Sequence, residues 1–474
     1  MQNDIAEIKD TLARFQTNQG VEVQATLLRL TRFVAVFEVY SQQVVLRTSE
    51  VLSEFHVLFQ ERAVYAGRAV VSSLVNTGTV AVCEVKLDET GFLVASLPPA
   101  KSTSLREGFG QFLKEWQKLY KVLPEFKVVV ADMQTFLTDV RFWLEQVELE
   151  IRAAPAGNRL GMEQEALNEL GDAIVPAFDA LHERLEHLSE SIEGELRPVH
   201  QNFAKRMLHP IVMCSPFAYR TYHKPLGYAG DYEMVNMILR DPFEGGSLFA
   251  KATNLWFLRQ WPARAHRNRI SYLVNTLKQE ALRSIRQGRR LRVFNLGCGP
   301  AVEVQRFLAE DRHSEDSQFT LLDFNEETIL HATRQLEEAK RTHNRGTPIQ
   351  IQRKSVQHVL KEASKPSVDT PDKKLDLVYC AGLFDYLSDR TCKQLMNVFY
   401  EWLAPGGILV VTNVDNCKPF RHMLEFVLDW HLIYRGNSQA LALAPDRAPA
   451  QGVSVKRDET GVNLFIEVRK PEHV

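Results

Sequence analysis

The feature that most constrains the fold is a regular alternation of apolar strands and helical segments near the end of the chain. Strands are predicted at 292–296, 319–323, 349–352, 375–380 and 407–412. The segments between them have helical spacing, as in 301–310, 325–341 and 389–403. This alternation predicts an α/β fold with a Rossmann-like, doubly wound and mostly parallel sheet, in which ligands bind at the carboxyl ends of the strands.

The first of these strands ends in a glycine loop, VFNLGCGP at 293–300. Gly297 and Gly299 allow a ligand to approach the backbone and leave free N–H groups at the start of the next helix. A tight strand-to-helix turn is the alternative reading, because a lone GxG is weak evidence. Val302 stands where a dinucleotide fingerprint needs a small residue, and there is no GK[ST] phosphate loop. The loop therefore argues against NAD.

The second strand ends in an acidic residue, in FTLLDFN at 319–325. Asp323 lies about two dozen residues beyond the loop, where a carboxylate accepts hydrogen bonds from both hydroxyls of a ribose. Phe324 beside it is placed to lie against a base. A glycine loop without a diphosphate signature, followed by an acidic strand end, predicts S-adenosylmethionine as the cofactor.

Further segments complete a series. After VFNLGCGP and LLDF come LDLVYCAGLFDYL at 375–387 and WLAPGGILVVTN at 402–413. In this order and spacing they resemble the successive motifs of class I S-adenosylmethionine-dependent methyltransferases. Three more segments resemble the bacterial family of extracellular-factor 3-hydroxypalmitic acid methyl ester biosynthesis methyltransferases: KPLGYAGDYEMVNMI (224–238), ARAHRNRISYL (263–273) and PFRHMLEFVLDWHLIYR (419–435). The resemblance covers roughly residues 200 to 474.

The resemblance implies a set of cofactor contacts. The methionine moiety would be lined by Gly297, Cys298 and Gly299, the ribose held by Asp323, and the adenine flanked by Phe324. Ser355 and Val356 would border the adenine edge, and Ala381 and Gly382 would face the sulfonium. Glu303 would pair with the amino group of the cofactor, although a helix N-terminus favours an acidic residue in any case.

Two segments before the sheet add candidates. GYAGDY at 227–232 carries Tyr228 and Asp231 between turn residues, and we expect it to close over the cofactor as a lid; a packed Ω-loop is the alternative. Arg264, Arg267 and Arg269 follow on a predicted helix. A guanidinium such as that of Arg264 suits the carboxylate of the cofactor or of a substrate, and a solvated basic face is the alternative.

The chemistry decides which catalytic residues are needed. Methyl transfer from a sulfonium is an in-line displacement that requires alignment and exclusion of water. A carboxylate acceptor is already an anion, so no catalytic residue is assigned. Tyr228, Asp231 and His266 are the candidates. An amine or hydroxyl acceptor would need a base, for which the candidates are His223, His266, Asp385 and His431.

The expected function is transfer of a methyl group to a small acid or lipid-like acceptor, specifically the carboxylate of a hydroxy fatty acid. A different O- or N-acceptor, or a non-catalytic protein that senses the cofactor, are the alternatives. In the resembling family the aromatic run at 420–434 would lie near the acceptor pocket, and an amphipathic helix covering the sheet would explain it equally.

Three domains are expected, at 1–100, 101–205 and 206–474. Short β-rich runs at 32–40, 41–48, 68–75 and 78–87 predict a small barrel or sandwich. YAGRAVVSSLVNTG at 65–78 resembles a divergent PilZ-like domain. The arginine spacing and the turn LVNTG depart from the pattern of cyclic-di-GMP-binding members, so binding of cyclic-di-GMP is doubtful and a scaffold or partner-binding role is expected.

The region from 105 to 205 has helical periodicity, first at Phe109, Phe112, Trp116 and Leu119 and later from Leu167 to Ile192. A turn is expected at 152–158, and Pro176 implies a kink or break. The apolar stripe indicates a bundle core or, alternatively, the seam of a homodimer.

Composition limits the other function classes. The formal net charge is −2, so no overall basic field attracts nucleic acid. CAGLFDYL after the fourth strand also differs from the Asn/Asp-Pro-Pro-aromatic sequence of enzymes that methylate DNA bases. No apolar run is long enough for a membrane span, and six cysteines without paired spacing suit reduced thiols rather than disulfides or zinc. A cytoplasmic protein without a metal site is expected.

Overall fold

The computed structural model describes residues 11–472 apart from 19, 32, 41–43, 60–61, 77–80, 89–90, 93–121, 195, 364–373 and 418–419. These residues group into two compact units, each made of several stretches of the chain. The first unit comprises Met1–Ala229, Asp241–Gln260 and Phe420–His431. The second comprises Gly230–Arg240, Trp261–Pro419 and Leu432–Val474. The helical pattern at Phe109–Leu119 lies outside the described residues.

The elements are numbered in chain order. The strands are β1 (Thr11–Gln16), β2 (Glu22–Leu30), β3 (Val34–Val39), β4 (Val51–Phe59), β5 (Arg62–Asn76), β6 (Ala81–Leu87), β7 (Leu291–Leu296), β8 (Ser317–Asp323), β9 (Ile349–Arg353), β10 (Leu375–Cys380), β11 (Leu403–Val414), β12 (Val453–Arg457) and β13 (Asn463–Arg469).

The helices are α1 (Pro124–Ala153), α2 (Ala156–Glu190), α3 (Arg197–Val212), α4 (Pro216–His223), α5 (Tyr232–Leu239), α6 (Leu248–Arg259), α7 (Trp261–Arg286), α8 (Val302–Glu310), α9 (Glu326–Thr342), α10 (Val356–Ala363), α11 (Asp389–Trp402), α12 (Arg421–Val427) and α13 (Asn437–Ala442). No helix in the described part of the chain combines the length and apolar character that a membrane crossing requires.

The first unit contains a closed antiparallel barrel with strand order β1-β2-β3-β6-β5-β4. Inward and outward residues alternate along its strands, as in β1, because successive side chains of a strand point to opposite faces. Aromatic rings fill the centre: Phe37 lies 5.2 Å from Phe15 and 5.7 Å from Phe55, measured between ring centroids. The predicted small β domain is thus confirmed, as a barrel rather than a sandwich.

One predicted β run is wrong. Residues 44–50 form no strand, and Thr48 and Ser49 form a turn instead. Ser49 has φ 61°, a left-handed backbone conformation that does not occur in an extended strand. The β-prone residues of SQQVVLRT suggested a strand, but local propensity is overridden by tertiary context.

The long helices of the first unit begin with an antiparallel pair. Only Ala154 and Pro155 separate α1 from α2, which confirms the turn predicted at 152–158. A break at Pro176 is wrong, because α2 continues through it from Ala156 to Glu190. Pro176 is exposed, so its missing backbone hydrogen bond lies on the solvent side of the helix.

The second unit is built on a seven-stranded sheet with order β12-β13-β11-β10-β7-β8-β9. The strands β9, β8, β7, β10 and β11 are parallel, whereas β13 runs antiparallel to β11 and β12 antiparallel to β13. The five predicted strands and the helices between them are confirmed. The final hairpin of β12 and β13 was not predicted. Strand order reverses at β7, because β8 and β9 lie on one side of it and β10 and β11 on the other. Doubly wound folds bind ligands at such a point.

Helices α7 and α8 pack against the sheet around β7. Leu273 and Leu277 of α7 and Phe307 of α8 lie in one buried cluster with residues of β7, β8, β10 and β11. This packing fixes α8 directly behind the glycine loop. The N-terminus of α8 therefore has a set position relative to the ends of β7 and β8.

Candidate functional site

The glycine loop connects β7 to α8 and is held by the neighbouring strand. The N–H groups of Gly297 and Cys298 both donate to the carbonyl of Leu322, at 2.8 and 3.0 Å. Gly297 has φ +75° and Gly299 has φ +52°, which other residues adopt only with strain. The glycines are therefore needed for the turn itself, whatever ligand it meets.

Asp323 closes this loop from the end of β8. One carboxylate oxygen accepts a hydrogen bond from the N–H of Gly299 at 3.1 Å, and the other accepts from the N–H of Asn325 at 3.0 Å. The side chain is 5% exposed. A carboxylate has about four acceptor positions, and each oxygen of Asp323 is fixed here by a backbone N–H.

The space beside the loop suits a ligand. A Cβ built on Gly299 would meet no heavy atom within 4 Å, so the residues of the chain leave this position open. An acidic strand end, two glycines and an open position beside them are what a nucleoside with an amino-acid tail requires. The residues present therefore fit S-adenosylmethionine.

Glu303 lies on the first turn of α8 and is buried among hydrogen-bond donors. Its Oε1 accepts from the hydroxyl of Tyr379 at 2.7 Å and from the amide of Asn295 at 3.4 Å. Burial raises the pKa of the Glu303 carboxyl despite the hydrogen bond from Tyr379. These contacts tie α8 to β7 and β10, and the predicted pairing of Glu303 with the amino group of the cofactor stays a prediction.

Arg269, on α7, reaches the end of β10. Gly382 has φ +82°, and a Cβ built on it would lie 2.7 Å from Nη1 of Arg269, so the guanidinium rests directly against this glycine. Arg269 is 7% exposed, and its guanidinium makes no hydrogen bond or ion pair with any described residue. The charges that face it belong to Asp385 and Glu303.

The loop after β10 is fixed by buried polar groups. Asp385 Oδ1 accepts from the N–H of Val414 at 2.5 Å, and the Asp385 carbonyl accepts from the N–H of Ile433 at 2.7 Å. Burial raises the pKa of the Asp385 carboxyl. Arg435, 1% exposed, donates to the carbonyls of Phe384 and Leu387 at 2.8 and 2.7 Å. The loop that follows Gly382 is thus rigidly placed.

Helix α5 lies near the same strand ends. Tyr232 donates to Glu327 at 2.8 Å, and its ring stacks on His331 with centroids 4.4 Å apart, both residues being on α9. A Cβ on Gly230 would lie 2.7 Å from the hydroxyl of Tyr386, in the loop after β10. Asp231 caps α5 by accepting from the N–H of Met234 at 2.8 Å. The predicted lid segment therefore continues into a packed helix.

The other predicted cofactor residues lie at the ends of the strands. Cys298 is buried in the glycine loop, and burial raises the pKa of its thiol. Ser355 and Val356 are buried at the start of α10, where Ser355 Oγ hydrogen-bonds His358 Nδ1 at 2.8 Å. Half-buried positions are occupied by Phe324 after β8 and by Ala381 after β10.

Two predicted residues have different surroundings from those expected. Arg264 is exposed, and its guanidinium lies over the ring of Trp261 at 4.8 Å from the centroid. Of Arg264, Arg267 and Arg269, it is Arg269 whose guanidinium lies against Gly382 at the end of β10, and the helical spacing did not single it out. Tyr228 is half-buried in the first unit.

The four residues considered as catalytic bases differ in their pKa, their contacts and the unit to which they belong. Burial lowers the pKa of His266 to about 3, and its Nδ1 lies 3.1 Å from the carbonyl of Pro262. Asp385 is engaged as described above. His223 and His431 belong to the first unit. Of the two groups in the second unit, His266 has a pKa far below neutrality, and Asp385 is held by the N–H of Val414.

Comparison with known proteins finds one family model that matches part of this region. The methyltransferase domain family matches residues 294–409, from the end of β7 to the middle of β11. A comparison with curated protein sequences gave no match.

Solved structures with a similar fold share little sequence. A possible exported protein from Bordetella parapertussis is 19% identical, with 52% of this chain and 81% of that chain covered and a TM-score of 0.39. Magnesium protoporphyrin IX methyltransferase from Synechocystis PCC 6803, with bound S-adenosylhomocysteine, is 10% identical with coverages of 53% and 96% and a TM-score of 0.35. The N-methyltransferase NodS from Bradyrhizobium japonicum WM9, in complex with S-adenosylhomocysteine, is 14% identical with coverages of 51% and 98% and a TM-score of 0.31.

At TM-scores below 0.5 these structures do not identify the activity of this chain. The family match does not depend on them, and the glycine loop, Asp323 and the sheet order agree with it. Residues 294–409, which contain the glycine loop and Asp323, therefore match a methyltransferase domain.

Proposed function

We propose that the protein transfers a methyl group from S-adenosylmethionine to the carboxylate of a small acid, with a hydroxy fatty acid as the acceptor class. The observation that carries the carboxylate is Arg269: a buried guanidinium at the end of β10 without a hydrogen bond or ion pair to any described residue. A buried charge without a partner is costly, and a carboxylate is the partner whose geometry matches a guanidinium.

The surrounding acidic groups do not fill this role. Glu303 is engaged by Tyr379, and Asp385 by the N–H of Val414. Burial raises the pKa of both carboxyls, which disfavours their ionised forms. A carboxylate brought by a ligand would therefore meet a site whose positive charge is only partly compensated.

The candidate bases support the same acceptor. S-adenosylmethionine, when bound, supplies an electrophilic methyl group on a sulfonium. His266, with its pKa lowered to about 3, is too weak a base to deprotonate an amine or a hydroxyl at neutral pH. A carboxylate needs no deprotonation, so the chain has only to hold the acceptor in line and exclude water. Helix α5, which contacts α9 and the loop after β10, is placed to do the latter.

The first test measures cofactor binding. Calorimetric titration with S-adenosylmethionine and S-adenosylhomocysteine is expected to show binding that Asp323→Ala abolishes. Arg286→Met removes an exposed arginine at the C-terminal end of the helix that carries Arg269, and it is the control that leaves binding unchanged. Absence of binding to the wild-type protein would exclude the enzyme reading.

The second test identifies the acceptor and the source of the carboxylate at Arg269. A hydroxy fatty acid and its matching alcohol are incubated with cofactor, and a methyl ester is expected from the acid alone. Arg269→Met should weaken one ligand about tenfold or more, since a charge-assisted pair contributes roughly 1.5–3 kcal/mol. Loss of S-adenosylmethionine binding with unchanged methylthioadenosine binding would place the carboxylate of the cofactor there. A raised KM for the acid with unchanged cofactor binding would place the acceptor there. Methylation of the alcohol or of an amine alone would contradict the proposal.

A further inference from the structure

Helix α1 of the first unit has apolar side chains on two opposite faces. The exposed face contains Val128, Phe142 and Leu149. A helix with one apolar face packs that face against its own domain, so a second apolar face requires a further partner. The buried face carries Phe126, Val129, Val130, Met133, Leu137, Leu144 and Ile151.

The exposed residues of this second face lie at seven-residue intervals along α1. Val128, Thr135, Phe142 and Leu149 follow one another at this spacing, and all four side chains are exposed. Seven residues make nearly two full turns of an α-helix, so the four side chains form one stripe along about 30 Å of helix. Two helices that pair in a coiled coil do so through a stripe with this repeat.

The stripe is more apolar than a surface that faces only solvent. The exposed fractions are 53% for Val128, 60% for Phe142 and 58% for Leu149, and Trp143 beside the stripe is 51% exposed. A single exposed apolar side chain is ordinary, whereas four along one helix, two of them aromatic, indicate an interaction surface. Phe142 and Trp143 alone leave roughly 200 Å² uncovered, since an aromatic side chain offers about 150–250 Å².

Opposite charges flank the stripe on its two sides. Successive residues of an α-helix are rotated by about 100°, which places Asp139 and Glu150 on one side of Phe142, and Arg141 and Arg152 on the other. Asp139 and Glu150 are exposed, and neither carboxylate makes a hydrogen bond or ion pair with any described residue. Arg141 and Arg152 each pair with a glutamate four positions away on α1, and their side chains are 51% and 66% exposed. The acidic side of the stripe is therefore uncompensated within the described chain.

This charge pattern matches a second copy of the same helix. When two identical helices pair in the same direction, the acidic side of each faces the basic side of the other, whereas in opposite directions like sides meet. In the parallel arrangement Asp139 faces Arg141 of the second copy, and Glu150 faces Arg152 of the second copy. The members of each pair differ by two positions along the helix, about 3 Å, which side chains of this length span.

We propose that α1 is the interface of a homodimer, in which two copies of the chain pair through this stripe with their α1 helices parallel. Phe142 and Leu149 form the apolar centre of the interface, and the ion pairs at its two margins set the direction of the helices. A contact along one helix is small beside a standard interface of about 800 Å² per partner, so the dimer dissociates on dilution. The inference does not depend on the proposed methyl transfer.

The first test measures the oligomeric state of the full-length protein by analytical ultracentrifugation over a range of concentrations. A monomer–dimer equilibrium is expected. Phe142→Ser should raise the dissociation constant on the order of tenfold or more, because it removes the central apolar contact from both copies. Leu330→Ser is the matched control, since Leu330 is 60% exposed on α9 and its replacement should leave the equilibrium unchanged. A monomer at every concentration, or equal dimerisation of Phe142→Ser and wild type, would overturn the proposal.

The second test reverses the charges at the margins of the stripe. Asp139→Arg alone and Arg141→Asp alone each replace attraction between the copies by repulsion, so dimerisation of either variant should weaken about tenfold. An equimolar mixture of the two variants should dimerise as the wild type does, because each copy then meets the opposite charge on the other. Melting temperatures show whether each variant is folded. Single variants that dimerise like the wild type, or a mixture that fails to associate, would contradict the parallel pairing.

Discussion

The guanidinium of Arg269 lies so close to Gly382 that a methyl group at residue 382 would come within 2.7 Å of Nη1. The two residues lie more than a hundred positions apart in the sequence, on α7 and at the end of β10. Their contact brings a buried positive charge to the strand end beside β7.

Gly382→Ala should therefore disturb both the backbone and Arg269. An alanine at φ +82° costs about 1–2 kcal/mol, and displacement of the guanidinium adds to this. Gly461→Ala is the matched control, because Gly461 has φ +73° and an added Cβ there would meet no atom within 4 Å. Urea unfolding should show a larger loss for Gly382→Ala than for Gly461→Ala. Equal losses would mean that Arg269 moves aside without cost.

Replacement of Glu303 or Glu310 by glutamine should change the stability of the protein with pH in opposite directions. The pKa of Glu303 is raised in the folded protein by burial, so the native state gains stability as the pH falls and loses it as the pH rises above the unfolded value of 4.5. Glu303→Gln removes this loss and keeps an acceptor for Tyr379. The stability of the variant relative to wild type should increase between pH 5 and pH 8, as measured by urea unfolding.

Glu310 is the comparison, because hydrogen bonds from Lys278 and Arg306 lower its pKa. Its charged form stabilises the native state above the unfolded pKa, and this contribution disappears as the pH falls. Glu310→Gln should consequently lose stability relative to wild type as the pH rises. If the stability of both variants relative to wild type changed with pH in the same direction, water would have to hydrate the Glu303 carboxylate in the folded protein.

Arg435→Met should destabilise the loop that follows Gly382. Three buried acceptors lose their donor, namely Asn413 Oδ1 and the carbonyls of Phe384 and Leu387. Each unsatisfied group costs about 1–3 kcal/mol, so the loss should reach about 3 kcal/mol or more. Hydrogen exchange should accelerate at residues 384–387.

Arg447→Met is the control for Arg435. The Arg447 side chain is 79% exposed and pairs with Glu401 at the surface. Such pairs contribute about 0–1 kcal/mol, so unfolding should change little. A small effect at both positions would indicate that water replaces the Arg435 donors.

Pro176→Ala is expected to stabilise the protein. Pro176 lies inside α2, where a proline removes one backbone hydrogen bond at a cost of roughly 3 kcal/mol. The more flexible unfolded chain offsets part of the gain, which leaves about 1–2 kcal/mol. Pro124→Ala, at the N-terminus of α1, where the N–H has no helical partner, should give no gain by thermal unfolding.

Local patterns predicted the sheet and the turn formed by the glycine loop. Strand alternation, the turn glycines and the acidic residue at the end of β8 are each encoded within a few neighbouring residues, so Gly299 and Asp323 could be identified before their contact was known. Arg269 could not be distinguished from Arg264 in this way. Helical spacing shows which arginines share a face, but the approach to Gly382 depends on how α7 packs on the sheet.

The same limit applies to the remaining differences. Arg435 satisfies acceptors that lie tens of residues away, and no short motif marks such a network. The sequence pattern treats the aromatic run at 420–434 as one segment, which lies either near the acceptor pocket or on a helix that covers the sheet. The structure places Phe420–His431 in the first unit and Leu432 onward in the second.

This interleaving of the chain has a consequence during synthesis. A ribosome completes most of the first unit by residue 229 but supplies Phe420–His431 only after most of the second unit has emerged. The second unit in turn awaits β13, which pairs with β11 and ends at Arg469. Most multidomain proteins fold one unit after another from the N-terminus. In this protein neither unit has its full sequence before residue 431, so termination before residue 420 would leave both incomplete.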